Sequence, residues 1–167
     1  MKLGHHAAVS VAIGVGLWAA TGDARTLPAA VAAGVLPDVD HLLDYYNWYI
    51  RRDTRRLILI FHGWEYLVAA VLIYVFAFTE PWMLAVVLGY ASQVGTDQIF
   101  NGVRWHTYSL LARASLGFDA RRVVGRDMTQ AYEALVDSLP VFRDPVRRWF
   151  ERRIEGPSIG EKKLTGR

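Results

Sequence analysis

The sequence predicts an all-α protein, an integral membrane bundle of about four apolar helices with a basic amphipathic helical tail. Three observations carry this. Apolar residues fill 53% of the 167 positions. They gather into four runs separated by short polar turns, with helical rather than alternating spacing. Charge is segregated: residues 1–102 hold 6 of the 19 Lys/Arg and 8 of the 16 Asp/Glu, leaving 13 and 8 for residues 103–167.

The first run, Ala7–Ala20, ends at "TGDAR". His5 and His6 interrupt its junction with a thin positive N-terminus, so it reads as a retained helix rather than a signal peptide. The second, Leu27–Leu36, ends at Pro37. The third, Leu57–Phe78, ends at "TEP", and the fourth, Trp82–Phe100, at "NG", a helix-stop signal. The last two have the roughly 20 residues needed to cross a bilayer, whereas the first pair is short. Arg51, Arg52, Arg55 and Arg56 precede the third run, and Arg104, Arg113, Arg121, Arg122 and Arg126 follow the fourth. By the positive-inside rule this predicts a multi-pass inner-membrane protein with its site and tail on the cytoplasmic face.

The body is thus 1–102 and the tail 103–155, with 156–167 read as disordered from its Gly, Ser, Lys and Thr content. In the tail, "RDMTQAYEALVDSLP" places Met128, Ala131, Leu135 and Leu139 at helical spacing, with Asp127 as cap and Gln130 at N3. "RDPVRRWFERRI" has Asp144 as N-cap, Pro145 at N1, and a stripe of Val146, Trp149, Phe150 and Ile154 among arginines. That stripe suits either an anionic lipid surface or the protein's own body. The basic balance, with pI near 9.3, comes from this tail, and no nucleic-acid partner is expected. There is no cysteine, which excludes disulfides and thiolate metal sites.

Ionisable residues stand out against this apolar background. "PDVDH" supplies Asp38, Asp40 and His41; the third run carries His62 and Glu65; the fourth carries Gln93, Asp97 and Asn101. His6 heads the first run, with His5 as the adjacent alternative. In an antiparallel bundle all these ends point one way. Asp38/His41 and His62/Glu65 are i, i+3 pairs, and Gln93, Asp97 and Asn101 step by four, so each set shares a helix face. Imidazoles and carboxylates at such spacings on facing helices build divalent-metal sites, with zinc the first expectation and manganese or iron next. The expected ligands are His6, Asp38, Asp40, His41, His62, Glu65 and Asp97. Glu65 and Asp40 are the expected catalytic residues, Glu65 as ligand or general base. One metal or two is left open. A structural His–carboxylate network is the competing reading, and a proton relay a third.

An N-terminal His on an apolar helix, then "LPDVDH", then a His motif, then "GY" followed by a polar residue and an Asp four later, resembles the membrane-bound metal-dependent hydrolases of the YdjM-like family. The resemblance covers about residues 3–101, and "LPDVDH" is its most specific part. It implies a helical membrane protein with a divalent-metal site and hydrolytic activity on a small-molecule or lipid substrate, such as a phosphoester or lipid headgroup. "FHGWEYL" keeps His62 of the family's His-Arg-Gly-x-Thr-His-Ser motif and offers Glu65 for its second His. "YASQVGTDQIFN" has Gln93 where the family commonly has His, and keeps Asp97. Oligomeric state is not indicated.

Overall fold

The computed structural model describes residues 3–139 and 141–154. The segment 156–167, expected to be disordered, lies outside the described residues. The fold is helical: α1 Leu3–Thr21, α2 Thr26–Val35, α3 Asp40–Tyr45, α4 Trp64–Phe76, α5 Pro81–Phe100, α6 Leu110–Ser115, α7 Ala120–Val124, α8 Tyr132–Ser138 and α9 Arg143–Ile154. A 3₁₀ turn at Leu36–Val39 leads into α3, and a π-turn at Tyr46–Ile50 leaves it.

α2 packs against both α1 and α5, and α1 also touches α5. Small residues set this close approach. A Cβ on Gly89 of α5 would stand 2.5 Å from the carbonyl oxygen of Ala30 on α2, and one on Gly34 would collide with Ser10 of α1. The tight crossing holds the start of α1, the end of α2 and the second half of α5 at one level.

Two parts of the sequence reading need correction. Among the described residues no helix is long and apolar enough to cross a membrane. The fold is therefore all-α but not an integral membrane bundle of transmembrane helices, and the multi-pass inner-membrane placement falls with it. The reasons are local. The third apolar run does not make one long helix: its first part is a loop, and α4 has only 13 residues, about 20 Å at 1.5 Å per residue. α5 has 20 residues, but its second half carries Ser92, Gln93, Thr96, Asp97 and Gln98. α1 carries His5, His6 and Ser10.

The tail shares a core with the body. Trp48, Tyr49, Leu57, Leu59, Tyr90 and Val94 pack with Ala120, Val123, Tyr132, Val136 and Phe150. Phe150 of α9 meets Tyr49 edge-on at 4.6 Å and stacks on Tyr132 at 5.2 Å. The α9 stripe thus splits: Phe150 is buried and Val146 packs beside the core, while Trp149 and Ile154 stay exposed. The helix of "RDMTQAYEALVDSLP" starts late, at Tyr132, and Asp127 instead receives the amide of Thr129 in a turn.

Candidate metal centre

The loop 57–63, "LILIFHG", builds the centre. All but two of its residues are apolar, yet it is not helical, because its backbone finds partners elsewhere. Leu57 N–H donates to the Phe118 carbonyl across a short antiparallel bridge. Ile58 and Leu59 N–H donate to the two carboxylate oxygens of Asp44, both at 3.1 Å. Phe61 N–H donates to Asp40 at 2.8 Å, and Gly63 N–H to the Tyr90 hydroxyl at 3.1 Å. That hydroxyl in turn reaches the carbonyls of Phe61 and Gly63. The Arg113 guanidinium, fully buried, donates to the carbonyls of Leu59, His62 and Thr107 at 2.6–2.8 Å. Buried backbone groups need such partners. Leu59 sits at φ +45°, a strained position for a branched residue, and both its amide and its carbonyl are held.

This loop presents His62 to the acidic motif. The imidazole has no exposed surface. Its Nδ1 lies 3.1 Å from the Asp40 carboxylate. Its Nε2 lies 3.4 Å from Asp38 Oδ1 and 3.4 Å from Asp97 Oδ2. His6, also buried, places Nε2 3.1 Å from Asp97 Oδ1. His41 Nε2 stands 3.8 Å from Asp38 Oδ1. Two overlapping donor sets result, Asp38/His41/His62 and His6/Asp38/Asp97, with donor atoms within 4.8 Å of one another in each set. The His41 side chain is 39% exposed and Asp38 15%, so the centre opens to solvent on that side.

Three carboxylates thus converge on one imidazole. Burial works against a charge on His62, but its hydrogen bonds to Asp38, Asp40 and Asp97 outweigh this and push its pKa up to about 11. Burial likewise opposes ionisation of Asp97, yet hydrogen bonds, those from His6 and His62 foremost, hold its carboxyl well below the usual range. Together the two shifts describe a His62 imidazole and an Asp97 carboxylate that stabilise each other's charged forms.

No protein-family model, curated protein or solved structure matches this chain. The site therefore stands on its own geometry.

Of the residues the sequence singles out, His6, Asp38, His41, His62 and Asp97 come together. His5 is exposed, whereas His6 is buried beside Asp97. Asp40 is adjacent but faces the other nitrogen of His62. Glu65 is engaged elsewhere. Its carboxylate accepts from the Ser109 hydroxyl at 2.6 Å and from the amides of Leu110 and Leu111, capping α6. Burial raises its pKa, but these bonds bring it down to about 2. Asn101 donates to the Tyr108 hydroxyl.

Asp44, Tyr90 and Arg113 are the residues that sequence reasoning misses. Tyr90 was within reach, since it lies one turn before Gln93 on the buried face of α5. Asp44 follows Asp40 by four, again on one helix face. Nothing local marks Arg113 as buried.

Proposed function

We propose that the cluster binds a divalent cation and that the protein is a metal-dependent hydrolase of a phosphoester-type substrate. One observation supports the metal above the rest. A tetrahedral ion with bonds of about 2.0–2.1 Å sets its ligands roughly 3.3–3.4 Å apart. The separations from His62 Nε2 to Asp38 and Asp97 are both 3.4 Å. Donor chemistry fits as well. Imidazole nitrogen with carboxylate oxygen suits zinc, manganese or iron.

Each residue then has a role. His62, through Nε2, and Asp38, Asp97 and His6 are the holding groups, with His41 at the open edge. Asp40 accepts a hydrogen bond from the Nδ1–H of His62 and so fixes the tautomer that leaves Nε2 free to ligate. A bound dication would supply Lewis-acid chemistry of the kind that drives hydrolysis. The solvent-facing side at His41 and Asp38 gives substrate its approach. The "LPDVDH" resemblance points to the same reaction class.

Elemental analysis of protein purified without a His tag tests this. Wild type should retain a dication, and His62→Ala and Asp97→Ala should lose it. Chelator should abolish hydrolysis of an activated phosphodiester.

A second reading has its own support in the high pKa of His62. A protonated imidazole between Asp38, Asp40 and Asp97 is itself a counter-ion, and the cluster would then be a structural network without catalysis. Metal-free wild type whose melting temperature ignores added dications would favour that reading, because a ligand that binds only the folded state must raise it.

A further inference from the structure

Gln93 stands inside the centre and is neutral at every pH. It is fully buried on α5, at the heart of the cluster. Its Nε2 donates to Asp38 Oδ1 at 2.7 Å and lies 3.3 Å from His62 Nε2. Its Oε1 is buried and has no hydrogen-bond partner among the described residues. The imidazoles of His41 and His62 also face Asp38.

A carboxamide has two unlike ends, and rotation about its last bond exchanges them. In this orientation the oxygen end is the one without a hydrogen-bond partner among the described residues, so the choice depends on what the inward end meets. Facing the Asp38 carboxylate alone, the N–H end is favoured. Facing a dication drawn between Asp38 and His62, N–H dipoles are repelled and the oxygen end is favoured. We propose that Gln93 is a ligand-selecting residue of this centre: its amide turns Oε1 onto the bound cation and tilts the site away from zinc, toward an oxygen-preferring dication such as manganese. An amide oxygen is a hard donor of the kind that serves magnesium, calcium and manganese, while imidazole serves zinc better. The inference rests on the metal-centre reading above.

Calorimetric titration of the metal-stripped full-length chain with Mn²⁺ and with Zn²⁺ tests it. Gln93→Leu should weaken Mn²⁺ binding by about tenfold or more and Zn²⁺ binding by no more than about threefold, since the imidazoles that hold zinc remain. Gln93→His should raise the preference for Zn²⁺ over Mn²⁺ by about tenfold or more. Equal weakening of both ions in Gln93→Leu would overturn the proposal, because it would make Gln93 only a hydrogen-bond donor that positions Asp38. No change for either ion would overturn it too. If circular dichroism finds Gln93→Leu unfolded, the Gln93→His ratio decides, and an unchanged ratio overturns it. Failure of wild type to bind either ion overturns this proposal together with the metal centre. Binding by wild type with no selective loss overturns this proposal alone.

Discussion

Residues 57–63 and 64–76 belong to one apolar run, and they have opposite fates. The first seven are pinned in an irregular loop by Asp40, Asp44, Tyr90 and Arg113. The next thirteen form α4, which has no buried residue and packs chiefly against α5. Side-chain hydropathy is alike in both halves. What separates them is where the backbone hydrogen bonds go. In α4 they are internal, and the helix needs little from its surroundings. In the loop they are supplied by distant polar side chains, and the loop exists only while those side chains are in place. His62 sits in the dependent half.

The contrast predicts a graded response to mutation. Arg113→Leu should hurt most. It leaves the carbonyls of Leu59, His62 and Thr107 without this donor, and at about 1–3 kcal/mol per unsatisfied buried group the loss of stability should reach roughly 3–5 kcal/mol. Urea unfolding measures it, and a loss below about 1 kcal/mol would mean that the loop does not depend on its distant partners.

Tyr90→Phe removes one hydroxyl that serves Phe61 and Gly63, and should cost about 1–2 kcal/mol in the same assay. A variant as stable as wild type would remove Tyr90 from the account.

Asp44 adds a pH dependence. Burial pushes its pKa up to about 6 from 3.8, against the pull of the Ile58 and Leu59 amides. A raised folded-state pKa means that the folded form holds the proton more tightly. The contribution is fully present below pH 3.8, is lost as pH rises through about 6, and should amount to about 1–3 kcal/mol. Between pH 4 and pH 7 wild type should therefore lose stability relative to Asp44→Asn. A parallel pair of curves would rule out the raised value.

The smallest effect belongs to α4. Phe76 is 81% exposed, so Phe76→Ser should change unfolding free energy by no more than about 0.5 kcal/mol. A loss as large as that of Tyr90→Phe would erase the distinction between the two halves.

The same contrast explains what was legible in the sequence. α1, α2 and α5 were readable to within a few residues because their hydrogen bonds are local and their ends carry Gly, Pro or polar stops. The bundle level at which His6, Asp38 and Asp97 meet was readable too, from polar residues gathered at one end of each run. The loop was not. "LILIF" has the letters of a buried helix, and the groups that forbid one are Asp44, Tyr90 and Arg113, from 13 to 56 positions away. The error carried over to Glu65. Pairing it with His62 by i, i+3 spacing assumes one continuous helix, but His62 precedes α4 and Glu65 lies in its first turn, turned to α6. The same break misled the reading of length, since a 22-residue run that is part loop cannot be a transmembrane helix.

In the proposed centre a dication, not a proton, balances Asp38 and Asp97. Diffraction recorded at the metal absorption edge, on crystals of wild type grown with the ion, tests it most directly. An anomalous peak is expected about 2.0–2.2 Å from His62 Nε2 and from carboxylate oxygens of Asp38 and Asp97. Crystals with saturating metal and no peak at that position would contradict it and leave a protonated His62 as the counter-ion.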